Sequence, residues 1–277
     1  MNQANFTMGG SVSTIAACAL LLQASGTLAQ EQSQAELAKK LSNPIADLVS
    51  MPVQYNRLRG LGPNNADVNV TNIQPVIPIH LDAKTNLISR TILPIINFDS
   101  PAPGVNGQSG IGDVLQSFFY SPVAEADGWV WGVGAAINAP TANKQELGSG
   151  KWSAGPTAVV LKQQDGWTYG ILANKLNSFA GQSNRDYVDS TFVQPFLLYT
   201  TKTYTTFGIN TESTYNAHDG ATEGWTSPVN LTVAQLAKIA GKPVQFEIGY
   251  TKYVTNPTDT PTDGFRVQVT LLLPEKQ

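Results

Sequence analysis

The sequence predicts an all-β chain that closes into a transmembrane antiparallel up-and-down β-barrel of about 12 strands, preceded by a signal peptide and a short N-terminal helix. Three observations predict it. Charged residues are only 13% of the 277 residues, about half the share usual in a soluble domain. Mean hydropathy is nevertheless −0.12, so the chain lacks the long apolar runs of a helical membrane protein. From Met51 onward the apolar residues recur with a period of two. Strands that show one face to lipid and the other to water satisfy all three.

Residues 12–29 (VSTIAACALLLQASGTLA) are the one apolar, small-residue-rich segment of any length. Thr27-Leu28-Ala29 has the small-x-small form of a cleavage site, so residues 1–29 read as a signal peptide cleaved after Ala29. The segment ahead of it has no Lys or Arg, which a misplaced start codon would explain. A membrane-anchoring helix is the other reading, but Gln23, Ser25 and Thr27 interrupt it. Residues 30–49 are expected to form a periplasmic helical segment and residues 50–277 the barrel. Within the former, residues 34–42 (QAELAKKLS) have helical composition and Pro44 limits any extension. That helix is free to plug the barrel or to lie beneath it.

The clearest strands come late. Phe265, Val267, Val269 and Leu271 alternate with Arg266, Gln268, Thr270 and Leu272, and Phe246, Ile248 and Tyr250 alternate with Glu247, Gly249 and Thr251. Trp129, Trp131, Val133 and Ala135 alternate with Val130, Gly132, Gly134 and Ala136. Such runs place strands near residues 50–59, 67–79, 87–97, 111–120, 129–138, 151–162, 167–177, 189–200, 204–215, 225–236, 243–254 and 264–273. Each is long enough to cross the hydrocarbon at a tilt of roughly 45°. Short turns at residues 163–166 and 201–203 contrast with polar loops at 98–110, 139–150, 178–188, 216–224 and 255–263. Long loops on one rim and short turns on the other suit an outer-membrane barrel with its long loops outside the cell. Trp129, Trp131, Trp152, Trp167, Tyr199, Trp225 and Tyr250 stand near predicted strand ends, as interfacial aromatic girdles do.

Composition excludes several function classes. A net charge of −3 and a pI near 5.4 leave no basic character for a nucleic-acid binder. Cys18 lies in the leader, so the mature chain carries no disulfide, catalytic thiol or thiolate-ligated metal. His80 and His218 lack partners at metal-ligand spacing, and no cofactor motif is present.

Several stretches carry a family resemblance: LSNPIADLVSMPVQYN (41–56), NIQPVIPI (72–79), NLISRTILPII (86–96), GDVLQSFFYSP (112–122), GSGKWSAGPTAVVLKQ (148–163), GWTYGILAN (166–174), FVQPFLLYTT (192–201) and NTESTY (210–215). They resemble a family of Gram-negative outer-membrane barrels named for the meta-pathway of phenol degradation. Its members often carry only the label "transporter" or, mistakenly, "neuromedin U". The resemblance implies an outer-membrane location and a role in moving aromatic or other small hydrophobic compounds. It supplies no catalytic motif. The ending departs from the usual terminal aromatic, since Leu273 and the tail Pro274–Gln277 stand there instead.

A barrel hydrolase would need a nucleophile and a base in reach of each other. His80 has no serine two residues on, and His218 with Asp219 and Glu223 permits an acid–base group only loosely. The expectation is therefore a non-enzyme. With the large apolar residues facing lipid, the interior is expected to receive Asn72, Gln74, Gln116, Gln194, Asn210, Glu212, Asn230, Gln245, Glu247, Arg266 and Gln268. Arg90 is expected inside as well, because a charge facing lipid at mid-bilayer costs about 2–4 kcal/mol. Glu212 and Glu247 would favour cations, opposed by Arg90 and Arg266. The leading functional expectation is a channel or transporter for small, hydrophobic or aromatic molecules. The alternatives are a closed structural or adhesive barrel acting through its outer loops, and a barrel hydrolase. Expected partners are the lipid bilayer with its lipopolysaccharide, the barrel assembly machinery and a small-molecule solute; nucleic acid is not among them.

Overall fold

In the computed structural model, the described residues are 34–123, 128–219, 224–255, 257 and 260–273. The proposed signal peptide with Cys18, the loop acid Glu223 and the tail Pro274–Gln277 lie outside them. A helix covers residues 34–41, where the helical composition falls. Residues from Ala38 onward form one compact unit with the strands.

Twelve antiparallel strands close into a barrel. They are β1 (Ser50–Leu61), β2 (Ala66–Ile73 continued by Val76–Asp82), β3 (Thr85–Phe98), β4 (Gln108–Ile111 continued by Val114–Pro122), β5 (Trp129–Ala139) and β6 (Lys151–Gln164). The second half comprises β7 (Trp167–Gly181), β8 (Asp189–Thr200), β9 (Thr205–Thr211 continued by Ser213–Asn216), β10 (Trp225–Ile239), β11 (Lys242–Thr255) and β12 (Asp263–Leu272). Each strand pairs with the next in sequence, and β12 returns to β1 in register from Ser50↔Leu272 to Arg59↔Asp263. The breaks inside strands do not open the wall. At the Gln74-Pro75 break, Gln74 N–H donates to Pro52 O at 2.9 Å and Thr91 N–H to Pro75 O at 3.1 Å. Proline lacks a donor, so its neighbours must carry the ladder past it.

The connections separate the two rims. On one rim, Ala83-Lys84, Asp165-Gly166 and Ala240-Gly241 are two-residue turns. Both residues of the last two pairs have positive φ, 52° and 82° and then 50° and 78°, the backbone a tight hairpin with native twist demands. The opposite rim carries the longer connections that follow Phe98, Ala139, Gly181, Asn216 and Thr255. Two connections depart from that division. The short turn Gly62–Asn65 sits on the long-loop rim, and the connection from Pro122 to Trp129, on the short-turn rim, is longer than the two-residue turns.

The outer surface is an apolar belt between two sets of aromatic rings. Phe207, Ile209, Leu231, Ile248 and Val267 are exposed along it. On the short-turn rim Trp167 meets Tyr199 at 4.8 Å and Trp129 meets Tyr169 edge-on at 6.2 Å. On the long-loop rim Tyr215 meets Trp225 at 5.1 Å, and Tyr250 meets Phe265 at 5.4 Å. Amphipathic rings at two levels mark the edges of the hydrocarbon. Beyond the upper ring, outward-facing charges are paired between neighbouring strands: Arg57 with Asp67 (2.6 Å), Arg59 with Asp263 (2.8 Å) and Lys175 with Asp189. No described helix is long and apolar enough to cross a membrane; the strands make the crossing.

One loop on that rim is built around a carboxylate. Asp113 accepts from Ser149 N–H and Oγ, both at 2.7 Å, and from Ala142 N–H at 3.1 Å. Arg185, from the next loop, donates to the carbonyls of Gly148 and Ser149. The 140–150 loop is thereby pinned to β4 and tied to the 182–188 loop.

The alternation makes facing testable on β12. Val267 lies on the apolar belt, 49% exposed, and Gln268 faces inward opposite Gln54 and Glu247. Val267→Arg is expected to destabilise the barrel by about 2–4 kcal/mol, and Gln268→Arg by clearly less. Denaturant unfolding of the reconstituted barrel reads both; equal costs would contradict the register.

Candidate functional site

The interior has two unlike walls and a filling. Ile88 (β3), Phe119 (β4), Val130 (β5), Val159 and Leu161 (β6) and Leu172 (β7) form an apolar cluster, joined by Val76 and packed by Phe192 and Phe196. This departs from the expectation of a polar interior. Ile88 and Arg90 share one face, and Ile88 is 1% exposed. An apolar residue on the lumen face does not have to meet water when something else covers it.

The cover is the segment from Ala38 to Leu48. Ala38, Ile45 and Ala46 are buried, and Ile45 belongs to the apolar cluster. Gly132 makes the room: a side chain there would come within 3.0 Å of Ile45 Cδ1 and 3.2 Å of Phe119 Cβ. Gln163, near the short-turn end of β6, donates to Lys39 O at 2.7 Å and holds the segment from below. Ser42 Oγ donates to Ala38 O, and Asn43 accepts from Ile45 N–H, shaping the bend after the helix. Residues 38–48 therefore fill part of the barrel instead of lying beneath it.

The other wall, from β9 through β12 to β1 with Gln74 beside β2 and Arg90 of β3, carries the polar network. Arg266 on β12 reaches across two intervening strands to Glu212 on β9, with Nη1 to Oε1 at 3.0 Å and Nη2 to Oε2 at 2.8 Å. Its Nε donates to Asn56 Oδ1 at 2.8 Å. The Gln54 amide satisfies the same guanidinium when its oxygen is turned toward it. In its other orientation Gln54 Oε1 instead accepts from Gln74 Nε2 at 2.5 Å, and Gln74 Oε1 accepts from Arg90 Nη2 at 3.3 Å. Below the long-loop end, Asn230 bridges Asn210 (2.9 Å) and Thr251 (2.7 Å). A bidentate arginine–carboxylate pair with its remaining donors filled is the arrangement in which buried charges are tolerated.

Between the two walls and the inner segment lies a cavity of about 220 Å³. Of the residues expected inside, Gln74, Arg90, Gln194, Asn210, Glu212, Gln245, Glu247, Arg266 and Gln268 line it. Asn72 faces inward opposite Gln54 but lies off the cavity, and Asn230 is buried in its own hydrogen-bond group. Gln116 does not face the lumen. It stands opposite Thr91, while its neighbour Ser117 stands opposite the inward Arg90, so Gln116 points outward. There it accepts from Thr91 Oγ1 at 2.6 Å and donates to Ser89 Oγ at 3.0 Å, a polar trio that satisfies itself on the lipid side. The consecutive Phe118 and Phe119 hid this register, since either could have been the lipid-facing ring. Sequence reasoning missed Gln54, Asn56 and the inner-segment residues; the alternation Gln54, Asn56 against Val53, Tyr55 was the available signal for the first two.

The acids are not equivalent either. Glu212 is taken up by Arg266, whereas Glu247, among the described residues, has no ion pair or hydrogen bond. At the short-turn mouth, His80 Nδ1 lies 2.8 Å from Asn86 Oδ1 and its Nε2 3.8 Å from Asp47. His218 stacks edge-on against Tyr187 at the opposite rim. No group of three or more metal-ligating side chains occurs among the described residues.

A closed barrel with an apolar belt, aromatic rims and charges turned inward is an outer-membrane β-barrel, at home in the outer membrane of a Gram-negative bacterium. Residues 62–176 match the family described as "Putative MetA-pathway of phenol degradation", the same family that the sequence stretches resemble. Among solved structures, the chain is similar to the COG4313 outer membrane channel from Pseudomonas putida F1, with a TM-score of 0.63 at 16% identity, over 82% of this chain and 96% of that one. Outer membrane phospholipase A from Escherichia coli aligns at a TM-score of 0.47 and 10% identity, over 86% and 98% of the two chains. The β domain of the Bordetella autotransporter BrkA aligns at 0.40 and 11%, over 82% and 100%. The first likeness is one of fold, and the other two are too distant to carry an argument. No curated protein matches the chain by sequence.

The Arg266–Glu212 pair gives a stability prediction. Glu212→Gln leaves a buried guanidinium without its carboxylate and is expected to cost about 3–5 kcal/mol. Adding Arg266→Gln should recover much of that loss. A double-mutant cycle of unfolding free energies is the measurement, and strict additivity would mean that the pair does not hold the lumen together.

Proposed function

We propose that the protein is an outer-membrane channel or transporter for small molecules with substantial apolar character. The observation that carries this reading is the lumen cavity, lined both by the charged Arg90, Arg266, Glu212 and Glu247 and by the apolar Leu48, Val76, Phe196 and Leu198. A barrel that served only as an anchor could fill its interior with apolar side chains and avoid the desolvation of two arginines and two acids. The family match and the fold shared with a channel support the same reading. Aromatic solutes suit the Phe196, Leu198 and Val76 lining of the cavity. Residues 1–29 act as the cleaved export signal, residues 30–49 as the periplasmic-side segment, of which 38–48 fill part of the barrel, and the barrel assembly machinery inserts the product. At the long-loop rim the paired charges stand at the level of lipopolysaccharide head groups.

In this reading the segment 38–48 obstructs the passage and must shift for solute to pass. One specific observation favours the opposite reading, a closed structural barrel: the Arg266–Glu212 pair and its network occupy one side of the lumen while residues 38–48 fill much of the other. Planar-bilayer recordings and liposome uptake of a small aromatic solute separate the two. Wild type is expected to show small conductance and measurable uptake. Ile45→Asp places a carboxylate between Gly132, Phe119 and Val159, should dislodge the segment, and is expected to raise conductance several-fold while the folded band persists on unheated gels. No current and no uptake from either protein would assign the barrel to a structural role.

A further inference from the structure

Arg90 is the charge in the lumen that the protein's own network leaves unanswered. Arg266 has Glu212, Asn56 and Gln54 around it. Arg90, among the described residues, has one hydrogen bond, to the Gln74 amide at 3.3 Å, and no carboxylate within 4.0 Å. The nearest acid across the cavity, Glu212, already has both oxygens engaged by Arg266. Glu247 also lines the cavity unpaired, but the two groups differ in kind. A buried carboxyl can shed its charge by taking up a proton, and a guanidinium cannot lose its own. The requirement for a counter-ion therefore falls on Arg90.

The surroundings define what that counter-ion is attached to. Arg90 lines the same cavity as Val76, Phe196, Leu198 and Leu48. A ligand whose anionic end met Arg90 would rest its body on those apolar side chains. We propose that this cavity is a binding station for small amphipathic carboxylic acids, with the carboxylate received by the fork of Arg90 and the apolar or aromatic body held between β2, β8 and the inner segment. The station rests on the channel reading above and narrows its solute class. Planar guanidinium recognises two carboxylate oxygens side by side, so a carboxylate fits better than a single-oxygen alcohol. Gln74 orients the fork from behind, leaving its other donors for the ligand.

The test uses the full barrel in a neutral detergent, with three probes of one shape: benzoate, benzyl alcohol and benzylamine. Calorimetry reads binding and bilayer recording reads interruption of the ionic current. Benzoate is expected to bind saturably and more tightly than the alcohol or the amine. Arg90→Gln should weaken benzoate about tenfold or more while leaving benzyl alcohol unchanged, and Arg90→Lys should keep part of the preference. Arg57→Gln, at an outward rim charge, should change nothing. Equal binding of benzoate and benzyl alcohol to wild type, or benzoate binding by a folded Arg90→Gln barrel at wild-type strength, overturns the proposal. If Arg90→Gln fails to give the folded gel band, the probe series on wild type and Arg90→Lys decides alone. Benzoate binding without any current would retain the station and remove the channel reading; current that ignores all three probes, without calorimetric binding, would do the reverse.

Discussion

Hydrocarbon offers no partner to a peptide N–H or C=O, so every strand in this wall must have a neighbour on each side. The register between β1 and β12, from Ser50↔Leu272 to Arg59↔Asp263, is where that demand is finally met. The other features follow from it. The wall is continuous, so its outer side can be uniformly apolar, and polar groups are displaced to the inside or to the rims. Where a proline removes a donor, at Pro75, the neighbouring Gln74 and Thr91 amides carry the ladder on. Where polar side chains do face outward within the wall, as Ser89, Thr91 and Gln116 do, they satisfy one another.

Closure creates a second problem, an interior wider than its own side chains fill at this strand number. The chain solves it with two unlike materials. One side is packed by aromatic and aliphatic residues against Ile45 of the inner segment, with Gly132 conceding space. The other is held by Arg266 and Glu212, with Asn56 Oδ1 accepting from the Nε–H of Arg266. The apolar side gains from burial without direction, whereas the polar side fixes geometry because each partner has one place to stand. The cavity lies where the two meet, and its mixed character is a direct result of that division.

The fold was legible in the sequence because a barrel strand is read through period two and through turn spacing, and both are local. All twelve strands fall where alternation places them, and the boundaries differ by a few residues at ends such as Gln164 and Ile239. Facing was legible wherever apolar and polar residues strictly alternate, as on β12. It failed on β4, where Phe118 and Phe119 stand side by side and the true register depends on the pairing of Ser117 with Arg90. What could not be read was anything that depends on contacts across the lumen. That Ile88 packs on a covered wall, that Glu212 and Arg266 meet over two intervening strands, and that residues 38–48 occupy the interior are products of closure. No short stretch of sequence encodes them.

The order of the chain gives the inner segment a further meaning. Residues 38–48 are made before every strand that later surrounds them, and Ser50 begins the wall directly after them. The seam that closes the wall joins distant strands: Arg59 and Asp263, which meet there, are 204 positions apart. Contacts of such separation carry a large loop-closure cost and form late. The filling is thus covalently tethered to the first strand, and the pairing that completes the wall around it is the most distant in sequence, β1 with β12.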